Sequence, residues 1–165
     1  VPAILTDAAS ACPTGRGRAP SPAPFAGARA ELAGRGGRGG PYRVEDVTDC
    51  LFCRMVAGEI PADVVHETDR TLAFRDINPQ APTHVLVVPK EHHPTVAALA
   101  HADPDLLGAV VRTAEAVALQ EGLATADGVE PGYRVVTNTG PAAGQTVPHV
   151  HLHVLGGRDL RWPPG

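Results

Sequence analysis

"HVHLHVLGG", residues 149–157, sets three histidines at alternate positions, His149, His151 and His153, among Val150, Leu152, Val154 and Leu155. In a β-strand, residues i, i+2 and i+4 share a face. The spacing therefore predicts a strand with three imidazoles on one side, about 7 Å apart, and Val150, Leu152 and Val154 turned into a core. The apolar residues account for the strand but not for the histidines, because any polar residue would satisfy an exposed face.

Outward from this strand, the chain reads as short strands around one long helix. "HVLVVP", residues 84–89, is an apolar run of strand length and is expected to be central. "DVVHE" (63–67) and "TLAFRDI" (71–77) read as strands joined by a turn at Thr68-Asp69-Arg70. "YRVVTNTG" (133–140) reads as the strand before the last. "CLFCRMVAGEI" (50–60) reads as a short helix, with Gly58 ending it and Pro61 barring its continuation. "HADPDLLGAVVRTAEAVALQEG" (101–122) reads as the long helix. Asp103 is its N-cap, Pro104 its first residue and Gly122 its close, with Leu107, Val110, Val111, Ala114, Val117 and Ala118 at helical spacing. The fold class expected is α+β: an antiparallel β-meander sheet with one long helix and a short N-terminal helix.

Residues 1–43 differ in composition. They are mainly Ala, Gly, Pro, Arg and Ser without helical or strand period, and such a segment buries too little apolar surface to offset its ordering entropy. A disordered tail (1–43) and one domain (44–165) are expected. "GRGGRGG" resembles a short Arg-Gly box, but a solvated leader is the stronger reading. The only Met is Met55, and Ala, Gly, Pro and Arg are what GC-rich DNA encodes. One expectation is therefore that the tail comes from a wrongly chosen start; the intact mass of the natural protein tests it.

Charge and composition exclude several classes. The net charge is −4, with residues 1–40 at +3 and residues 41–165 at −7, which argues against sequence-specific or general nucleic-acid binding through a basic surface. There is no run of about 18 apolar residues and hence no expected membrane span. No basic stretch followed by an apolar one opens the chain, so no secretory signal is expected. Three cysteines do not make a disulfide framework. The cytoplasm is the expected location.

Two chemistries suit three imidazoles on one face. One is metal binding. The other is nucleophilic attack on phosphorus by one imidazole, with its neighbours donating hydrogen bonds to phosphate oxygens. The loop before the strand favours phosphate: Gly144 allows close backbone approach, Gln145 and Thr146 add polar groups, and Asn138 ends the preceding strand. Asp76, at the end of a strand, is a carboxylate able to accept ribose hydroxyls.

His149-Val-His-Leu-His-Val-Leu155 matches the His-φ-His-φ-His-φ-φ signature (φ apolar) of the histidine triad superfamily at every position. Residues 47–165 resemble its Hint branch, the purine nucleoside phosphoramidases, on "EIPADVVHETDRTLAFRDINPQAPTHVLVVPKEH" and "GYRVVTNTGPAAGQTVPHVHLHVLGGRDLRWPPG". The resemblance implies a homodimer whose two sheets join into one, and His151 as the nucleophile forming a nucleotidyl intermediate with a purine nucleotide substrate. It implies that His149 and His153 orient His151 and contact phosphate, and that Gln145 and Thr146 hold phosphate oxygens or the bridging atom. Asn138 would bond near phosphate and sugar, and Asp76 would hold the ribose. Leu51, Phe52, Met55, Phe74 and Ile77 would line the base pocket, and His84 would stand behind the triad. Trp162, the only Trp, would reach the partner's site and tune substrate choice.

Cys50-Leu-Phe-Cys53 reads as zinc or redox chemistry; no thioredoxin-like βαβ pattern surrounds it, so zinc is the better reading. Several histidine triad branches that this sequence resembles carry a structural zinc, which implies Cys50, Cys53, His149 and either His92 or its neighbour His93 as ligands, with "PKEH" favouring His92. The chemistry itself needs no cofactor. The activity expected is hydrolysis of nucleoside 5′-monophosphate derivatives, of phosphoramidate or acyl-adenylate type. The alternatives are a dinucleoside polyphosphate hydrolase, a nucleotide-binding regulatory protein with little turnover and, more weakly, a nucleotidyl transferase.

Overall fold

The computed structural model describes residues 49–127 and 130–163. The expected tail, residues 1–43, and the first residues of the expected domain lie outside them. The described elements run α1 (Leu51–Val56), β1 (Val64–Glu67), β2 (Thr71–Arg75), β3 (Thr83–Pro89), α2 (Val96–Ala102), α3 (Pro104–Gln120), β4 (Tyr133–Val136) and β5 (Leu152–Gly156), with a single 3₁₀ turn at Pro141–Ala143. The fold is α+β.

The five strands form one antiparallel sheet in the order β1-β2-β3-β5-β4. β1 to β3 follow one another as a meander, and β5 then inserts between β3 and β4. β3 is thus central, and its alternation sorts two cores. Val85 and Val87 join Leu152 and Val154 of β5 beneath Leu106, Val110, Ala114 and Val117 of α3. Leu86 and Val88 join Leu72 and Phe74 of β2 beneath Phe52 of α1. Burial on both faces explains why β3 reads as an unbroken apolar run.

α3 starts as its sequence dictates: the Asp103 side chain accepts from Leu106 N at 2.8 Å, with Pro104 at the first helical position. Arg70 of the β1–β2 turn reaches the same carboxylate at 2.6 Å. One element was not expected. His101 and Ala102 do not open α3 but close α2, whose N-cap, Thr95, accepts from Ala98 N at 3.1 Å. Leu99 alone anchors this short helix in the core, too little to announce a period.

The last strand is also shorter than expected. β5 begins at Leu152, so His149 and His151 lie on the segment leading into it, where Val150 N bonds His93 O at 2.7 Å. At the other end Gly156 packs against Leu123; a Cβ built there would lie 2.6 Å from the leucine side chain.

Candidate active site

His151 is 6% exposed, and its ring packs edge-on against Phe52, centroids 5.3 Å apart. Its Nδ1 lies 2.7 Å from the backbone oxygen of His149. A carbonyl oxygen only accepts, so Nδ1 holds the proton and the neutral ring carries its lone pair on Nε2. Nε2 has no hydrogen-bond partner among the described residues. An imidazole prepared in this way is a nucleophile or a base.

His153 lies beside it, ring centroids 5.1 Å apart. Its Nδ1 is 2.9 Å from Nε2 of His84 on β3, and Nδ1 of His84 accepts from Gln80 N at 3.1 Å. Burial pushes His153 down to about 4, the nearby His151 and His84 add to this, and Asp76 opposes it. Burial lowers His84 too, again against Asp76. Asp76 Oδ1 accepts from Asn78 N at 2.8 Å, and its Oδ2 lies 3.5 Å from His84 Nε2.

The loop before the triad departs from expectation at one residue. Gln145 is buried, donating both amide hydrogens to Pro94 O (2.7 Å) and Val147 O (3.1 Å) and accepting from Gly140 N (2.9 Å). With its donors occupied, the side chain shapes the loop instead of facing a phosphate. Gly144 adopts φ +82°, open to glycine without strain, and a Cβ there would lie 3.7 Å from Asn138 Nδ2. Asn138 and the Gly144 backbone are thus neighbours, and Thr146 is exposed.

His149 also departs from expectation. It is fully buried and cannot touch a phosphate. Its Nε2 donates to Pro89 O at 2.9 Å, which leaves the Nδ1 lone pair facing the Cys50 and Cys53 sulfurs at 3.4 and 3.5 Å. His92 Nδ1 lies 3.3 Å from Cys53 Sγ, and all four donor atoms fall within 4.8 Å of one another. Tetrahedral zinc with its usual bond lengths sets N and S ligand atoms about 3.5 Å apart, so two thiols and two imidazoles at these distances fit the ion. The Pro89 carbonyl is the outer partner a ligating histidine requires. Without a metal, burial and then the Cys50 thiol push Cys53 up to about 12, while burial lowers His92 and takes His149 to about 4. His93 stands outside the group; it is buried, with Nε2 3.3 Å from Glu91 Oε1. Of the two adjacent histidines, His92 is the one that joins the cysteines.

The expected base pocket is divided. Met55, Phe74, Asp76 and Ile77 line one cavity of about 390 Å³ with Pro61, Ala62, Asp63 and Arg75. Phe52 packs between Phe74 and the triad, 5.6 Å from the Phe74 ring. Leu51 instead lines a different cavity, with Thr146, Val147 and Pro148. Trp162 is 84% exposed, and the segment leading to it is tied down where Arg134 Nη2 donates to Arg161 O at 2.7 Å. Sequence reading overlooked three backbone groups that matter here, Pro89 O, Gln80 N and His149 O. Main-chain partners leave no mark in a sequence.

Residues 57–160 match the model of the HIT domain. The chain belongs to the HIT domain family. It is 47% identical over 123 residues to the 14 kDa zinc-binding protein of Zea mays, covering 73% of this chain and 91% of that protein. It is 45% identical over 118 residues to adenylylsulfatase HINT1 of Arabidopsis thaliana, covering 70% and 76%. The solved structure of a HIT family hydrolase from Legionella pneumophila superposes with a TM-score of 0.65 at 50% identity, covering 70% of this chain and 99% of that one. Among the described residues no helix is long and apolar enough to cross a membrane.

Proposed function

We propose that this HIT protein hydrolyses nucleoside 5′-monophosphate derivatives, of phosphoramidate or acyl-adenylate type with a purine base, at the α-phosphorus through a nucleotidyl-His151 intermediate. The observation that carries this reading is the 2.7 Å bond from His151 Nδ1 to the His149 carbonyl, which leaves the Nε2 lone pair free. Nε2 attacks phosphorus and the leaving group departs. Water then attacks phosphorus, the phosphorus–Nε2 bond breaks, and the nucleoside monophosphate and the free imidazole are released with the water's proton passing to solvent. Similarity to a protein named an adenylylsulfatase and to another titled a hydrolase supports hydrolysis as the reaction class.

In this reading His153, Asn138, Thr146 and the Gly144 backbone meet the phosphate, and Asp76 accepts the ribose hydroxyls. Met55, Phe74 and Ile77 hold the base, with Phe52 supporting them. Zinc would be held by Cys50, Cys53, His92 and His149, where it fixes the segment bearing the His149 carbonyl; the similarity to a zinc-binding protein supports that choice of ion. A homodimer belongs to the same proposal, since β4 is an edge strand with Val135 exposed, and pairing would cover it. Trp162 would then tune substrate choice at the partner's site. A cytoplasmic location agrees with the free Cys50 and Cys53.

The test is AMP release from adenosine 5′-phosphoramidate by the wild type and by His151→Ala. Turnover by the first and none by a folded second is the expected result. If a diadenosine polyphosphate is cleaved and the phosphoramidate is not, the dinucleoside polyphosphate reading replaces this one. If neither turns over while both proteins bind AMP, a binding protein with little turnover replaces it.

A further inference from the structure

Three threonine hydroxyls form a line from the β1–β2 turn to α3, and the main chain fixes its direction. Thr68 Oγ1 accepts from Arg70 N at 3.2 Å and from Thr71 N at 2.9 Å. With both lone pairs engaged, its own hydrogen is donated to Thr71 Oγ1 at 2.7 Å. Thr71 Oγ1 and Thr113 Oγ1 are 2.8 Å apart. Three hydroxyl hydrogens thus share two contacts, and one hydrogen is left over. Thr71 is fully buried, so its hydrogen goes to Thr113 and the surplus falls on Thr113. That residue is 4% exposed and lines a cavity of about 400 Å³. Thr113 makes no other hydrogen bond among the described residues, so its O–H is a buried donor left for an acceptor in the cavity.

The cavity lies between the β1–β2 turn and α3. His153 alternates with Leu152 and Val154, which lie beneath α3, and therefore faces the other side of the sheet. The charges around the cavity divide. Arg70 is engaged by Asp103 at 2.6 Å. Arg112 makes no ion pair among the described residues. Its guanidinium folds back one helical turn, with Nη1 3.2 Å from where a Cβ on Gly108 would lie. Asp69 of the turn and Asp105 of the first turn of α3 line the same cavity, and neither is ion-paired among the described residues. Ala109 and Ala116 supply an apolar wall. An unpaired guanidinium beside a spare O–H suits a carboxylate. Two unpaired carboxylates suit an ammonium, and the alanines suit a small apolar group. We propose that this cavity binds a free α-amino acid with a small apolar side chain. Its carboxylate meets Arg112 and the Thr113 hydroxyl, and its ammonium meets Asp69 and Asp105. A simple anion would be repelled by the two aspartates, and a simple amine would leave Arg112 and Thr113 without a partner. The site is separate from the triad and stands whether or not the protein hydrolyses nucleotides.

The experiment titrates L-valine into the full-length protein, read by calorimetry and by backbone amide chemical shifts. Valine should bind with a dissociation constant below about 1 mM, with shifts centred on Asp69, Arg112 and Thr113. Isovalerate lacks the amino group and isobutylamine lacks the carboxylate. Each should bind at least about tenfold more weakly than valine, the cost of one set of charged hydrogen bonds. Arg112→Gln, at an exposed position, should weaken valine by about tenfold and leave the melting temperature unchanged. Thr113→Ser keeps the hydroxyl and should bind within about threefold of wild type, whereas Thr113→Val should lose about tenfold. Should Thr113→Val fail to fold, Arg112→Gln and the two analogues decide. His151→Ala should bind valine as the wild type does. The inference is overturned by any of four results: no heat and no shift at about 10 mM valine, isobutylamine or isovalerate binding as tightly as valine, unchanged affinity in Arg112→Gln, or loss of valine binding in His151→Ala. None of these readouts needs turnover, so a protein that hydrolyses nothing would sink the proposed function and leave this inference to be decided by itself.

Discussion

The backbone oxygen of His149 and Nδ1 of His151 are 2.7 Å apart, and the side chain of the same His149 faces Cys50 and Cys53. One residue thus contributes an imidazole facing two cysteines on its side chain and, on its main chain, the acceptor that fixes the proton of His151 on Nδ1. In the proposed function, stability and catalysis meet at this residue.

Replacing Cys50 by Ser removes one of four converging donors from a buried site. Bound zinc, read by elemental analysis of the purified protein, should fall from about one per chain to near zero. The melting temperature should drop by at least about 5 °C. A chelator should lower the wild-type melting temperature and leave that of the variant unchanged. Equal melting and no zinc in either protein would remove the metal from the account.

Acid should weaken the fold through His153 and His84. Both bind a proton less readily in the folded protein than at the ordinary histidine value of 6.5, His153 doing so only at about 4. The unfolded chain therefore takes up more protons in this range. Their contribution to stability is fully present above about pH 6.5 and is lost as pH falls through 4. Denaturant midpoints between pH 7 and 4 should decline in wild type, and decline less steeply in His153→Asn. Parallel curves would show that this ring is not protected from protons.

Asp76→Asn tests the ribose contact. The asparagine oxygen can still accept from Asn78 N, so the local turn survives. The KM for adenosine 5′-phosphoramidate should rise about tenfold, the cost of one charged hydrogen-bond acceptor. A 2′,3′-dideoxy substrate should discriminate little between the two proteins. An equal rise for both substrates would move the role of Asp76 away from the sugar.

Gly156→Ala should destabilise by about 1–3 kcal/mol, because the added methyl meets Leu123 at 2.6 Å in a closed core. Pairing it with Leu123→Val should recover part of the loss. Denaturant unfolding of the four proteins in this cycle reads the coupling directly; additive effects would mean that β5 shifts to make room.

Most of the architecture was legible because it depends on local rules. Asp103-Pro104 wrote the start of α3, the apolar run of residues 84–89 wrote the central strand, and alternation wrote the triad. What escaped depends on contacts distant in sequence. α2 has one core residue and a threonine cap, too weak a pattern to distinguish from a loop. Gln145 reads as a polar loop residue, and only its bond to Pro94 O, 51 positions away, turns it inward. The alternation that grouped His149 with His151 and His153 could not say that His149 would be fully buried, because its partners come from α1, from the residues after β3 and from Pro89. The choice between His92 and His93 was open for the same reason: adjacent residues point to different neighbours, and which neighbours those are is decided in three dimensions.

β5 lies between β3 and β4, with Leu86 opposite His153 and Val87 opposite Leu152. A slip of one residue along either neighbour would interchange the two faces, sending His153 beneath α3 and withdrawing Leu152 and Val154 from that core. The core that holds this strand is thus also its proofreader: a chain threaded one residue out of register misplaces His153 and loses its close-packed interior together.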